Sequence, residues 1–288
     1  MSGAWTVRAV LEWTAGHLNE AGSDTGRLDA ELLLAHALGV ERLQLYLDPD
    51  RPLDQTERDA YRELVRARAK GAPVAHLLGE REFWSLPLRV TADTLIPRPD
   101  TEVVVERALE LLPVEGGTRA LDLGTGTGCI PAALASERPE LRVDAVEAGS
   151  EAAAVAADNM ERLGLAERVT VQTGSWFEPV AGETYHLIVA NPPYVPEADP
   201  HLTAGDVAAE PREALAAGPE GLDAYRVLVP GAPAHLVPGG WLVVEIGWDQ
   251  GEAVAALFEA NGFTEVAVHR DYGGRDRVVE GRWPGTGA

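Results

Sequence analysis

Apolar positions along the chain follow two different periods, and the change from one to the other divides it. Over the first seventy or so residues the spacing is helical: Leu28, Leu32, Leu33, Ala35 and Leu38 recur at turn intervals, with Gly39 as a stop. Leu43, Leu45 and Leu47 form a short segment ending at Asp48-Pro49. Asp54 caps a charged helix that reaches about Lys70 before Gly71 and Pro73 close it. Such stripes suit the core of a small helical bundle. Between Gly79 and Val90 the pattern turns short and alternating, with Phe83, Trp84, Leu86, Leu88 and Val90, and predicts a hairpin bridging two domains. A helix over 100–112 follows Pro97 and Pro99.

From Thr118 onward, strands and helices alternate. Strands are predicted at 119–123, 141–146, 169–172, 185–190 and 241–246, and helices through Ala135, then at 150–163, 222–236 and 249–261. A terminal pair of strands, 264–269 and 277–281, flanks the turn Gly273-Gly274. Alternation of this kind makes an α/β fold, a parallel sheet with helices on both faces. Ligands of such sheets bind beyond the carboxyl ends of the strands, where the strand order switches. The domain boundaries implied are 1–75 for the helical part, 76–96 for the hairpin linker and 97–288 for the α/β part.

Length and composition change this picture little: 288 residues suit two domains, and 45% hydrophobic residues is ordinary. The formal charge of -22 matters more, because a polyanion needs a basic face. It argues against DNA or RNA as a direct partner and suits a cationic cosubstrate or a basic protein, although it also serves solubility alone. Lys70 is the one lysine, which reads as coding bias. Cys129 is the one cysteine, so neither an intrachain disulfide nor a cysteine zinc site is expected. The stretch from Met1 to Leu18 lacks an apolar signal core, and no run approaches the ~20 apolar residues of a membrane span. A cytoplasmic protein with no membrane partner, and a monomer, is the expectation.

Two segments carry chemistry. In Leu121-Asp122-Leu123-Gly124-Thr125-Gly126-Thr127-Gly128 a buried strand runs into three glycines at alternate positions and then a helix. Glycine lets backbone approach a ligand closely and takes strained dihedrals. Dinucleotide folds and plain turns share such loops, so the loop alone is ambiguous. Asp122 adds a carboxylate at the strand end, placed for a cationic amine. Glu147 ends the next strand, where an acid accepts from both hydroxyls of a ribose. The spacing G-x-G-x-G, unlike G-x-G-x-x-G, resembles the S-adenosylmethionine version.

The second segment, Asn191-Pro192-Pro193-Tyr194, follows directly on the apolar strand 187–190. Two prolines stop the strand and stiffen an extended turn. The turn presents an amide side chain and a backbone carbonyl as two acceptors, matching the two donors of a planar NH2 group. Holding both hydrogens pulls the nitrogen towards pyramidal geometry and aims its lone pair, a gain in orientation worth up to ~7–11 kcal/mol in the best cases. A strong general base is not needed. None of His17, His36, His76, His186, His201, His235 and His269 forms an obvious catalytic or metal pair, and no metal is expected.

The turn by itself does not separate adenine amino groups from glutamine amides. The chain, however, resembles the release-factor glutamine methyltransferase family (PrmC/HemK) essentially from end to end. The resemblance is carried by the segments 73–79, Phe83-Trp84, 95–102, the glycine loop, Asn191 to Tyr194, Glu210-Pro211, 221–223, 238–241, Glu245-Ile246-Gly247 and 274–277. It implies a helical N-terminal domain that engages the protein substrate and a class I, Rossmann-like, S-adenosylmethionine-dependent methyltransferase domain. It implies methyl transfer to the glutamine of the Gly-Gly-Gln motif of bacterial peptide chain release factors. Cosubstrate contacts would come from Asp122, Gly124, Thr125, Gly126, Thr127, Gly128, Glu147, Trp176 and Asn191. The glutamine would lie in Asn191, Pro192, Pro193 and Tyr194, with Asn191, Pro192 and Tyr194 catalytic. Departures from the family pattern are Glu147 and Asp100, where aspartate and glutamate are usual, and Pro131 just past the loop. The rivals are a glutamine methyltransferase of a ribosomal large-subunit protein, a DNA adenine methyltransferase and a non-catalytic binding module. Pro97-Arg98-Pro99 disfavours the first, the lack of a basic target-recognition segment the second, and the Asn191 turn the third.

Overall fold

The computed structural model describes residues 5–113 and 116–285, so the outermost residues of the boundaries drawn above, 1–4 and 286–288, lie outside the described residues. Two compact units emerge: Met1–Glu80 with Thr203–Ala209, and Arg81–Leu202 with Glu210–Ala288.

The first unit is helical. It contains α1 (Val7–Glu20), α2 (Gly26–Leu38), α3 (Gln44–Leu47), α4 (Gln55–Arg68) and α5 (Val74–Leu78). Asp54 and Glu57 close a capping box at the start of α4, and Gly39 ends α2 in the left-handed region at φ +63. The core joins Val7, Leu11, Leu18, Leu33, Leu34 and Tyr61. It differs from the sequence reading in one respect: Leu28, Leu43 and Leu47 are exposed, whereas Ala30 and Leu45 are buried. Helix α2 is leucine-rich on most of its circumference, so spacing alone did not select its inner face. Charge is buried here too. Arg68 Nε donates to Asp29 Oδ2 at 2.7 Å, and the same guanidinium pairs with Asp206 of the returning segment.

The second unit opens with the hairpin of β1 (Glu80–Phe83) and β2 (Leu86–Arg89). Trp84 and Ser85 turn it with positive φ at both central positions, the mirror-image geometry that matches strand twist. A 3-10 turn, Pro99–Thr101, leads into α6 (Glu102–Leu111). Then come β3 (Arg119–Leu123), α7 (Cys129–Glu137), β4 (Arg142–Glu147), α8 (Ser150–Arg162), β5 (Val169–Thr173) and β6 (Tyr185–Ala190). The chain finishes with α9 (Asp223–Gly231), β7 (Leu236–Glu245), α10 (Gly251–Ala260), β8 (Thr264–Arg270) and β9 (Asp276–Arg282). The sheet order is β5-β4-β3-β6-β7-β9-β8, with β3 to β7 parallel and β9 antiparallel to both neighbours. Alternation along β6 serves both faces: Leu187 and Val189 join one core, Ile188 and Ala190 the other.

This order puts the switch point between β3 and β6. The chain leaves β3 towards β4 on one side and β6 towards β7 on the other, opening a crevice at their carboxyl ends. Leu123 lies opposite Ala190 in the ladder, so residues 124 and 191 leave the sheet side by side.

Two elements depart from the pattern reading. The helix expected over 222–236 stops at Gly231, and a 3-10 turn, Ala232–His235, takes its place. Pro233 has no N–H with which to continue an α-helix. Strand β7 begins at Leu236 rather than 241, running through Pro238, Gly239 and Gly240 with an irregularity that shifts its register from Tyr185↔Leu236 to Leu187↔Trp241. Among the described residues no helix is long and apolar enough to cross a membrane.

Candidate functional site

At the switch point the structure has a cavity of about 480 Å³. Its walls include Gly124, Thr125, Gly126 and Thr127 of the glycine loop, Glu147 at the end of β4, Trp176, and Asn191 and Pro193 of the turn after β6. Asp122, Gly128, Pro192 and Tyr194 do not reach the wall. They lie behind it.

The glycine loop needs its glycines. Gly124, Gly126 and Gly128 have φ of +76, +55 and +79, all in the left-handed region. At Gly128 a Cβ would also come within 2.9 Å of Met160 Cε, the flexible end of that side chain, which would have to turn aside. The loop is fastened to β4 by Gly124 N–H and Thr125 N–H, both donating to the Val146 carbonyl at 2.9 and 3.1 Å. Glu147 holds it from the side: Oε2 accepts from Gly126 N–H at 2.8 Å and Oε1 from Gly149 N–H at 3.0 Å. Each oxygen keeps a further lone pair for a second donor.

Beneath the loop Asp122 is fully buried, and neither of its carboxylate oxygens has a hydrogen-bond partner. Burial pushes its pKa up to about 7, the nearby Thr125 hydroxyl working against that and the Glu147 charge adding to it. The Thr125 and Thr127 hydroxyls are likewise buried and unpartnered. Orphaned polar atoms this concentrated are rare in folded proteins. Trp176, a non-glycine residue at φ +46, stands over the same loop, with Cζ3 3.7 Å from where a Cβ on Gly124 would be. Backbone in this strained state tends to gather at ligand sites.

The turn after β6 is braced from behind. Asn191 Nδ2 donates to the Thr101 hydroxyl at 3.2 Å. Tyr194 O–H donates to Glu245 Oε1 at 3.2 Å, and Gln250 Nε2 donates to the Tyr194 carbonyl at 3.0 Å and the Gly221 carbonyl at 3.2 Å. A Cβ on Gly221 would collide with the Tyr194 carbonyl, so glycine is required there. Glu245 is buried, and its pKa is up to about 7; burial is the main cause, opposed by Thr101, Arg277 and Tyr194 and reinforced by Asp100. On the opposite wall Arg98 forms an ion pair with the buried Glu210, whose Oε2 also accepts from Ile96 N–H at 2.9 Å. Nothing in the local sequence around Thr101, Glu210, Glu245 or Gln250 marks these residues for the site. Their partners lie 29 to 114 residues away in the chain, and the fold brings them in.

Among the described residues no group of histidine, cysteine, aspartate and glutamate could hold a metal ion. The lone Cys129 lies in the cavity wall, its thiol pushed up to about 12 chiefly by burial, and is therefore a poor nucleophile.

Comparison with known proteins agrees with this architecture. A family model described as the PrmC N-terminal domain matches residues 9–79, and one described as the methyltransferase small domain matches residues 105–268. A crystal structure of a methyltransferase from Pyrococcus furiosus superposes with a TM-score of 0.51 at 19% identity, covering 68% of this chain and 88% of that one, a likeness of fold. A release factor glutamine methyltransferase of Geobacter sulfurreducens is 47% identical over 279 residues, 96% of this chain and 97% of its own. One of Xylella fastidiosa is 49% identical over 259 residues, 90% of this chain and 94% of its own. Identity near one half over nearly the whole chain goes beyond shared fold: the chain belongs to the release factor glutamine methyltransferase family.

Proposed function

We propose that the protein transfers a methyl group from S-adenosylmethionine to the side-chain amide nitrogen of the glutamine in the Gly-Gly-Gln motif of peptide chain release factors. The observation that carries this reading is the Asn191 carboxamide. Its NH2 is engaged by Thr101, which leaves Oδ1 as a hydrogen-bond acceptor at the cavity wall. A site for an amide NH2 needs acceptors, and this one is fixed.

The residues present fit the donor. S-adenosylmethionine supplies a methyl group carried on a positively charged sulfur. Glu147 offers its remaining lone pairs to the ribose hydroxyls, Trp176 a flat face to the adenine, and the glycine loop a backbone surface without Cβ atoms. Thr125 and Thr127 line the cavity above buried Asp122, whose carboxylate, when ionised, places negative charge beneath a ligand with an ammonium group. On the acceptor side, Asn191 Oδ1 and a backbone carbonyl of the Asn191–Tyr194 turn each take one N–H of the glutamine amide. Holding both fixes the nitrogen and directs its lone pair. The stiff prolines keep the two acceptors at constant spacing. The amide nitrogen loses its proton to water once the N–C bond has formed, so no wall residue acts as a base beforehand. The helical unit serves to engage the release factor.

Labelled methyl incorporation separates this reading from its rivals. The full chain, given purified release factor, ribosomal proteins and DNA, should label the release factor alone. A release factor whose motif glutamine is replaced by alanine should stay unlabelled. Label in ribosomal protein or DNA, with none in the release factor, would overturn the proposal.

A further inference from the structure

The carboxamide of Asn159, on α8, is fully buried and has no role in the reaction as described. Its oxygen accepts from Arg89 N–H at 2.8 Å. Its NH2 donates to two carbonyls, that of Arg89 at 3.0 Å and that of Thr127 at 2.9 Å. Both N–H bonds and the oxygen are thus in use, and a flipped amide would face like with like at all three contacts. The Thr127 carbonyl lies outside the ladder of α7, because it precedes the N-cap Gly128, and the residue four further on, Pro131, has no N–H. Arg89 ends β2, in a two-stranded sheet whose outer backbone groups have no further strand to pair with. One side chain therefore serves backbone groups of two separate segments, and an apolar residue in its place would leave them unpaired.

We infer that Asn159 is a positioning residue for the methyl donor, fastening the glycine loop to the segment 89–98 so that the two stand at one spacing. Thr127 lies in the cavity wall. So do Asp93, Thr94, Leu95, Pro97 and Arg98, which follow closely on Arg89. That segment is held at its far end by Glu210, through Ile96 N–H and the Arg98 guanidinium, and at its near end by Asn159. The other fastenings of the loop, to the Val146 carbonyl and the Glu147 carboxylate, are to β4 and leave its distance from 93–98 open. Asn159 sets that distance. The coupling runs both ways, as any coupling of equilibria must. A donor held between the loop and 93–98 favours the arrangement in which Asn159 keeps its three bonds, and loss of those bonds weakens the donor.

The inference rests on the methyl-transfer reading for the identity of the donor, and the experiment keeps the two apart. Calorimetric affinity for S-adenosylmethionine, and single-turnover rates on release factor at saturating donor, are measured for the wild type, Asn159→Leu and Leu165→Ala. A wild type that neither binds S-adenosylmethionine nor methylates release factor sinks the functional reading, and the inference with it. With an active wild type, Asn159→Leu keeps the volume and removes all three bonds. It should bind the donor on the order of tenfold more weakly, as one or two lost hydrogen bonds imply, with the rate at saturation changed much less. Leu165→Ala, a truncation in the core beside α8, should lower stability and leave donor affinity unchanged. Amide exchange followed by NMR on the wild type gives a result that no variant's folding can obscure. Saturating donor should add more protection to Arg89 N–H than to Phe263 N–H, which bonds to the Phe258 carbonyl at 3.1 Å and lies off the cavity wall. Unchanged affinity in Asn159→Leu, an equal loss of affinity in Leu165→Ala, or equal added protection at Arg89 and Phe263 would each overturn the inference.

Discussion

Asn191 is asked for a single oxygen atom, and substitutions there should be read accordingly. Asn191→Ala deletes one of two acceptors and should lower the single-turnover rate on the order of 10²-fold, with donor affinity much less affected. Asn191→Asp keeps an oxygen in place. It also loses the NH2 that binds Thr101. The expected rank is Asn above Asp above Ala, and alanine matching aspartate would end the two-acceptor account. Asp122 has a different consequence, in stability against pH. Its pKa in the fold, about 7, lies above the ordinary 3.8, so the native state binds a proton that the unfolded chain has already released. That contribution is complete below pH 4 and is lost as pH rises towards 7. Thermal melting should show the wild type losing stability over this window. Asp122→Asn should lose less, retaining only the similar slope from Glu245. Equal slopes in the two proteins would show that Asp122 does not titrate there.

Within the elements, legibility followed sequence distance. The glycine loop and the Asn191–Tyr194 turn were readable because each is a local statement: a strand, a breaker, and side chains within eight residues. The sheet class followed from strand–helix alternation, and the hairpin from a change of period near Phe83. Thr101, Glu245 and Gln250 were not readable as a group. Each sits at an element end whose neighbours are set by the strand order, and local pattern carries no record of that order. Pro238-Gly239-Gly240 lay outside the strand expected at 241–246 and proved to belong to the irregular start of β7. Gly128 tests the local argument. Gly128→Ala brings strain at φ +79 together with contact on Met160, and should lower stability by about 1–3 kcal/mol, seen as an earlier denaturant midpoint with unchanged slope. No shift would mean that loop and α8 give way easily.

At the scale of the whole molecule, the helical unit is not a simple N-terminal piece. It includes Thr203–Ala209, and Arg68 is where that segment is fastened, paired with buried Asp29 and with Asp206. Arg68→Ala strands the Asp29 carboxylate with only the hydroxyls of Ser23 and Thr25, at 2.8 Å each, and should cost about 3 kcal/mol. Melting should fall while calorimetry finds S-adenosylmethionine affinity intact. A loss of donor affinity equal to the loss of stability would contradict the separation of the two units.

The same segment has a bearing on synthesis. A ribosome releases the chain from its N-terminus, and domains generally fold as units as they emerge. The helical unit cannot complete itself on that schedule, because its last seven residues follow β3, β4, β5 and β6 in the chain. Until Asp206 has emerged, Arg68 has one acidic partner instead of two. Helices α1 to α5 are therefore made before four strands of the sheet, and their unit is completed only after them.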